Sequence, residues 1–109
     1  MEVLLFGGTG EGRELAQWLL TQRIPALVCV ATEYGETLLP AGIEAHVGRL
    51  DEAGMAALMA SRPFTHVVDA THPYAVEVTA NIQAAAAAVG LPCLRLVRQS
   101  DGEDLCHKA

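Results

Sequence analysis

A dense run of glycines near the start of the chain is the first place where this sequence could bind a ligand. Residues Gly7–Gly12 read GGTGEG and follow the short apolar run Val3–Phe6. Glycine permits positive φ at a turn and lets backbone N–H groups approach a ligand closely. A helix that begins there adds unpaired N–H groups and the positive end of its dipole, which favour an anion. The segment predicts a phosphate-binding loop between a strand and a helix; the alternative is a tight turn with no ligand.

Two phosphate-binding motifs fit this loop in part. A G-x-G-x-x-G pattern that starts at Gly8 meets Arg13 where the third glycine belongs. A G-x-x-x-x-G-K-[ST] pattern that starts at Gly7 has Arg13 for the lysine and Glu14 for the hydroxyl that binds magnesium. We therefore reject an ordinary ATP or GTP site and favour a variant of the dinucleotide loop. Arg13 could offset the repulsion between a phosphate and the acids beside it, or it could be a solvated surface residue.

The segment at the end of a later apolar run is unusually rich in polar groups. The string Asp69-Ala70-Thr71-His72-Pro73-Tyr74 holds a carboxylate, a hydroxyl, an imidazole and a phenol within six residues. In an open parallel sheet, ligands bind beyond the carboxyl ends of the strands, where the strand order reverses. With strand order 3-2-1-4-5, this loop would lie beside a nicotinamide. The alternative is that Thr71 or His72 caps a helix while Asp69 accepts bonds from backbone amides.

Residues after two other strands are candidates for the adenosine end of a dinucleotide. Thr32 follows the Val-rich run Ala26–Ala31 and can donate to a phosphate oxygen, whereas Glu33 could bind a ribose hydroxyl instead. Arg49 follows Ile43–Val47 and could reach the same edge, although most arginines are solvated surface residues. These residues alone leave the choice between NAD and NADP open.

The elements that must position these loops alternate along the chain. Predicted strands are Val3–Phe6, Ala26–Ala31, Ile43–Val47, His66–Ala70 and Cys93–Val97. Predicted helices span Glu11–Arg23, Glu52–Ser61 and a long segment from Pro73 to Gly90, with a short helical turn as one option for Glu33–Pro40. This alternation predicts an α/β fold, a Rossmann-like doubly wound parallel sheet of about five strands in a single domain. We place that domain at residues 1–98 and a polar tail at residues 99–109.

Composition excludes several classes of protein. The 109 residues carry a formal net charge of −6 and only 5% aromatic residues, which argues against nucleic-acid binding. No apolar run is long enough to span a membrane, and no C-x-x-C pair or set of ligands at metal-binding spacing occurs. We therefore expect a cytoplasmic protein with reduced thiols and no metal.

Two of these segments together resemble one known family. GGTGEGREL (Gly7–Leu15) and VVDATHPYAVEVTAN (Val67–Asn81) are similar to the precorrin-6A reductases of cobalamin biosynthesis. ATEYG (Ala31–Gly35) and GRLDEAGM (Gly48–Met55) look like the intervening segments of that family. The resemblance covers about residues 1 to 98, and its most specific part is the string DATHPYA.

The resemblance implies an NADPH-dependent enzyme that transfers hydride to precorrin-6A and forms precorrin-6B. It implies that His72 and Tyr74 border the nicotinamide and the macrocycle, and by their chemistry these two are the candidates for a proton donor. The cofactor contacts that we expect are Gly7, Gly8, Thr9, Gly10, Glu11, Gly12, Arg13, Thr32, Arg49 and Thr71. Family members also have a second domain that closes the cleft, which we do not expect residues 99–109 to supply. The exposed fifth-strand edge would then favour self-association.

Two other functions are consistent with the same residues. The first is a stand-alone dinucleotide-binding module without catalytic activity. The second is a flavodoxin-like domain that binds a flavin mononucleotide, which the scarcity of aromatic side chains for stacking disfavours.

Overall fold

Five short apolar segments form one parallel sheet. In the computed structural model, which describes residues 1–97, the strands are β1 (Val3–Phe6), β2 (Ala26–Val30), β3 (Glu44–Val47), β4 (His66–Asp69) and β5 (Cys93–Arg95). The helices are α1 (Gly10–Thr21), α2 (Glu33–Thr37), α3 (Glu52–Ala60) and α4 (Val76–Val89). The strand order is β3-β2-β1-β4-β5 with every pair parallel, which confirms the predicted Rossmann-like fold. It is also the strand order that the placement of the loop after β4 assumed.

Side chains of the central strand alternate between two separate cores. Leu4 and Phe6 pack into a cluster with residues of α3 and α4, whereas Val3 and Leu5 pack into a cluster with residues of α1. All four side chains are buried. Because helices cover both faces of β1, its carboxyl end is held firmly at the middle of the sheet.

The carboxyl ends of β1 and β4 lie side by side at the point where the strand order reverses. Phe6 pairs with Asp69 at the last position of both strands, and the Ala70 amide donates to the Phe6 carbonyl at 2.8 Å. The chain continues from β1 into α1 and from β4 towards α4, which belong to the two different cores. This divergence opens the crevice in which doubly wound folds bind their ligands.

The prediction that the long helix starts at Pro73 is wrong, because α4 starts at Val76. The Ala75 amide donates to the His72 carbonyl at 2.9 Å, so Pro73 and Tyr74 are the central residues of a turn. Proline is favoured at the second position of a β-turn as well as in the first turn of a helix, and the sequence did not distinguish the two. The three extra residues form a loop between β4 and α4.

Other boundaries differ by smaller amounts. The segment Glu33–Pro40 does contain a short helix, and α1 ends before Arg23, whose φ of 58° closes the helix in the left-handed region. β5 stops at Arg95 rather than Val97 and lies at one edge of the described sheet. Self-association through that edge stays a prediction. The predicted tail, residues 99–109, lies outside the described residues.

Candidate functional site

The glycine loop after β1 combines a tightly packed half with an open half. The Gly7 amide donates to the Cys29 carbonyl at 2.9 Å, which ties the start of the loop to β2. Gly8 has φ of 125°, and a Cβ built there meets no atom within 4 Å, so its backbone faces open space. A Cβ on Gly12 would lie 3.2 Å from the Cβ of Ala70, because α1 packs closely against the end of β4. The third glycine of a dinucleotide loop allows such close packing of helix on strand, and here Gly12 allows it, one residue before the position that the pattern assigns.

Thr9 connects the glycine loop to the end of β4. It is the N-cap of α1, and its Oγ1 accepts from the Gly12 amide at 3.2 Å and donates to the Ala70 carbonyl at 2.6 Å. The Thr9 hydroxyl proton is thus donated to the Ala70 carbonyl and is not free to bond to a ligand. What Thr9 can offer a ligand is its backbone amide.

Two amides of this loop have no hydrogen-bond partner among residues 1–97. They belong to Gly8 and Thr9, and Gly10 at the first position of α1 has no preceding turn to bond to. All three residues line an open cleft of about 500 Å³. With the positive end of a 12-residue helix behind them, these amides form an anion-binding arrangement.

The loop after β4 is held by a buried carboxylate. Asp69 is 1% exposed, and its Oδ1 accepts from the Thr71 amide at 2.9 Å and from the Thr71 hydroxyl at 2.6 Å. Its Oδ2 accepts from the hydroxyl of Thr79, on α4, at 2.6 Å. The alternative reading of this loop is therefore correct in part, because Asp69 does accept from a backbone amide. Its other part, in which Thr71 or His72 caps the helix, is wrong, because the N-cap of α4 is Ala75, without a side-chain bond.

An arginine that the sequence analysis missed completes this network. Nη1 of Arg95, on β5, lies 3.0 Å from Oδ1 of Asp69 and donates to the carbonyls of Asp69 and Thr71 at 3.1 and 3.0 Å. Nη2 reaches the His72 carbonyl at 3.5 Å. An arginine inside the otherwise apolar stretch CLRLV was the available signal, since a charge in a strand usually has a partner.

The imidazole of His72 has one nitrogen engaged by the backbone. Its Nδ1 accepts from the Tyr74 amide at 3.1 Å, so a neutral ring carries its proton on Nε2. The ring lies 5.1 Å from the Tyr74 ring, measured between centroids, at an angle of 51°. Tyr74 itself is 87% exposed. His72 can therefore present an N–H donor to a ligand, while the Tyr74 side chain is largely in solvent.

The two loops border two adjoining clefts. The smaller cleft, of about 500 Å³, lies between the start of α1 and the loop after β4 and extends to Leu96 and Val97. The larger, of about 820 Å³, reaches from the glycine loop across the ends of β2 and β3 to α4. Gly8, Thr71 and His72 line both clefts, so these residues mark the junction between them.

Most of the predicted cofactor contacts reach these clefts. Those that line at least one cleft are Gly7, Gly8, Thr9, Gly10, Glu11, Arg13, Arg49 and Thr71. Of the two residues predicted as catalytic, His72 lines both clefts and Tyr74 lines neither. Thr32 and Gly12 also line neither: Thr32 caps α2 by accepting from the Gly35 amide at 3.0 Å, and Gly12 is buried against β4.

The cysteine that lines the larger cleft, Cys29, is a buried residue. Burial raises the pKa of the Cys29 thiol to about 12, so at neutral pH it is protonated and is not a nucleophile. Cys29 and Cys93 are free thiols, and Cys106 lies outside the described residues.

Within residues 1–97, no three His, Cys, Asp or Glu side chains are placed to share a metal ion. No helix in this range has the length and apolar character to span a membrane.

Comparison with known proteins finds relatives among the precorrin-6A reductases. A cobalt-precorrin-6A reductase of Synechocystis is 33% identical over 98 residues, and a precorrin-6A reductase of Rhodococcus erythropolis is 36% identical over 98 residues. Each alignment covers 88% of this chain but only 38% or 39% of the relative, so the chain spans about two fifths of these curated relatives.

Solved structures match over a similar part of their length. A CobK precorrin-6A reductase has a TM-score of 0.80 and 30% identity, over 91% of this chain and 39% of that one. The NADPH complex of leucoanthocyanidin reductase from Vitis vinifera has a TM-score of 0.67 at 20% identity, a likeness that shows the fold alone. The family described as "Precorrin-6x reductase CbiJ/CobK" matches residues 2–108, and this chain therefore belongs to the precorrin-6x reductase family.

Proposed function

We propose that this chain is the NADPH-binding part of a reductase that converts precorrin-6A to precorrin-6B in cobalamin biosynthesis. The observation that carries the proposal is the junction of the two clefts. There, the amides of the glycine loop face the Thr71–His72 backbone across the carboxyl ends of β1 and β4. Membership of the precorrin-6x reductase family supplies the class of substrate.

The residues at the junction fit a dinucleotide. Gly8 leaves room where a side chain would stand, and the amides of Gly8, Thr9 and Gly10 can donate to a pyrophosphate. The larger cleft would hold the adenosine and the smaller one the nicotinamide, because pyrophosphate sits at the helix N-terminus between the two halves of such cofactors. When bound, the reduced nicotinamide supplies the hydride.

The protein's own contribution to the reaction would be mainly positioning. The Asp69 network fixes Thr71 and His72 at the cleft, where they limit the orientations open to a bound ring. His72 would donate through Nε2 to an oxygen or nitrogen of the ligand, since its Nδ1 is engaged by the Tyr74 amide. Tyr74 would act only on a substrate that reaches outside both clefts, because its side chain lies there.

Selection of NADPH over NADH would depend on Arg49. This arginine lines the adenosine side of the larger cleft with Ala31 and Gly48, whereas Glu33 does not line it. A guanidinium suits the 2′-phosphate, and the Glu33 carboxylate does not line the cleft in which that phosphate would lie. Thr32 retains its hydroxyl proton as a possible donor after accepting from Gly35, so it stays a candidate for the same phosphate.

Two measurements on the full chain test the proposal. Calorimetric titration should show binding of NADPH, with NADH at least about tenfold weaker. Loss of nicotinamide absorbance on addition of precorrin-6A should then report whether this chain transfers hydride. Binding without hydride transfer would favour the stand-alone module, and a yellow chromophore that copurifies would favour a flavin. Failure to bind either nucleotide at millimolar concentration would contradict the proposed function.

A further inference from the structure

We propose that Arg95 and Asp69 form a clamp that positions the Thr71–His72 segment against the glycine loop. The inference rests on the proposed function, because it assigns how the nicotinamide side of that same site is held. Neither residue lines a cleft, so both act through the loop backbone and are positioning residues rather than catalytic ones.

The contacts of Arg95 are concentrated on this one segment. A single guanidinium reaches the carbonyls of Asp69, Thr71 and His72 and pairs with the Asp69 carboxylate at 3.0 Å. A planar guanidinium can serve several oxygens at fixed angles, which an ammonium on a flexible stem cannot do. The number of carbonyls that Arg95 reaches indicates that it shapes the loop as well as neutralising Asp69.

Asp69 holds the same segment through its carboxylate. Its Oδ1 accepts from both the amide and the hydroxyl of Thr71, while Oδ2 is held by Thr79 of α4. The carboxylate is 1% exposed and the Arg95 side chain is 27% exposed. Strand β4, strand β5 and helix α4 thus all constrain one short turn, and the turn can hold its shape before a ligand arrives.

The orientation of His72 is the feature that the clamp would control. Its carbonyl is held by Arg95, and its Nδ1 accepts from the Tyr74 amide inside the same turn. When Arg95 is lost, the turn gains freedom and the bond to Nδ1 is no longer enforced. The ring would then exchange between both neutral tautomers instead of keeping its proton on Nε2.

The test compares Arg95→Met, Arg95→Lys and Thr79→Val with the wild-type chain. Thr79→Val is the matched control, since it removes one bond to the same carboxylate but leaves the carbonyl contacts of Arg95 in place. Nitrogen NMR of the His72 ring in the free protein should report the Nε2–H tautomer in the wild type and Thr79→Val. Mixed tautomers are expected in Arg95→Met. Arg95→Lys retains the positive charge but not the planar guanidinium with its several N–H donors. It should be more thermally stable than Arg95→Met but should still show mixed His72 tautomers.

Ligand binding gives the second readout. Arg95→Met should weaken NADPH about fivefold or more, while adenosine 2′,5′-bisphosphate, which lacks the nicotinamide, should bind within about twofold of wild type. The clamp is refuted when folded Arg95→Met or Arg95→Lys keeps the wild-type tautomer and NADPH affinity, or when Thr79→Val shifts His72 equally. If the wild-type chain binds no NADPH, the proposed function fails, whereas the His72 signals still decide whether the clamp exists.

Discussion

The two loops that meet at the junction are built in different ways. The loop after β1 offers backbone amides, and its shape comes from glycines that permit positive φ at Gly8 and close packing at Gly12. The loop after β4 is shaped by side chains, with Asp69 and Arg95 bonded to its backbone from outside. The first therefore depends on residues that lie next to each other in sequence, and the second on residues up to 26 positions apart.

The largest effect should come from filling the glycine loop. Gly8→Asp places a carboxylate where the pyrophosphate would lie, so NADPH affinity should fall at least about 100-fold. Gly90→Asp is the matched control, because Gly90 also has positive φ and open space around its Cβ but closes α4 and lines neither cleft. Both variants should lose some stability from strain, and only Gly8→Asp should lose binding in a calorimetric titration. Wild-type affinity in Gly8→Asp would contradict the assignment of this loop.

A smaller effect is expected at the adenosine end. Arg49→Gln should weaken NADPH about tenfold and leave NADH within about twofold, because it removes a charge-assisted contact to the 2′-phosphate alone. Arg23→Gln removes the same charge at the end of α1, away from both clefts, and should change neither affinity. An equal loss of affinity for NADPH and NADH in Arg49→Gln would show that Arg49 does not bind the 2′-phosphate.

The contribution of the Thr9–Ala70 hydrogen bond to the free energy of unfolding can be measured by comparison with an ordinary helix cap. Thr9→Val removes both the cap of α1 and the bond to the Ala70 carbonyl, which should lower the free energy of unfolding by about 2 kcal/mol. Asp51→Ala removes only the cap of α3, where Oδ1 accepts from the Gly54 amide at 2.7 Å, and should cost about 1 kcal/mol. Urea denaturation measures both. Equal losses would mean that the bond between the loops adds no stability.

The smallest predicted effect concerns pH. The pKa of Cys29 is raised from 9.0 to about 12 by burial, so only the unfolded chain ionises this thiol between pH 9 and 12. The stability linked to this group is complete below pH 9 and declines as the pH rises, by about 1 kcal/mol between pH 8 and pH 10. Cys29→Ala should show a correspondingly weaker decline in denaturation experiments over this range. Identical slopes in the variant and the wild type would contradict the burial argument.

The different construction of the two loops explains how much could be predicted. The strands and the glycine loop follow from local patterns, because apolar runs and glycines encode them within a few residues. The start of α4 was misplaced because Pro73 suits both a turn and a helix start. Thr79 and Arg95 were missed because their partners become neighbours only when β5 and α4 pack against β4.

Predictions of individual site residues differ for the same physical reason. Backbone groups at Gly8 and Thr9 are positioned by the turn that the sequence already specifies. A side chain such as Tyr74 can point in any direction that its backbone allows, and here it lies in solvent outside both clefts. The family resemblance placed Tyr74 at the site and its chemistry made it a candidate proton donor, and that role stays a prediction.

The most direct test of the central claim is an NMR titration of the labelled chain with NADPH. If the glycine loop binds the pyrophosphate, the amide signals of Gly8, Thr9 and Gly10 should show the largest shifts, together with Thr71 across the junction. The Gly90 amide, at the end of α4 and outside both clefts, serves as an internal reference, and its signal should not shift. Saturation with NADPH that leaves the glycine-loop amides unchanged, or that moves a different set of amides, would contradict the account.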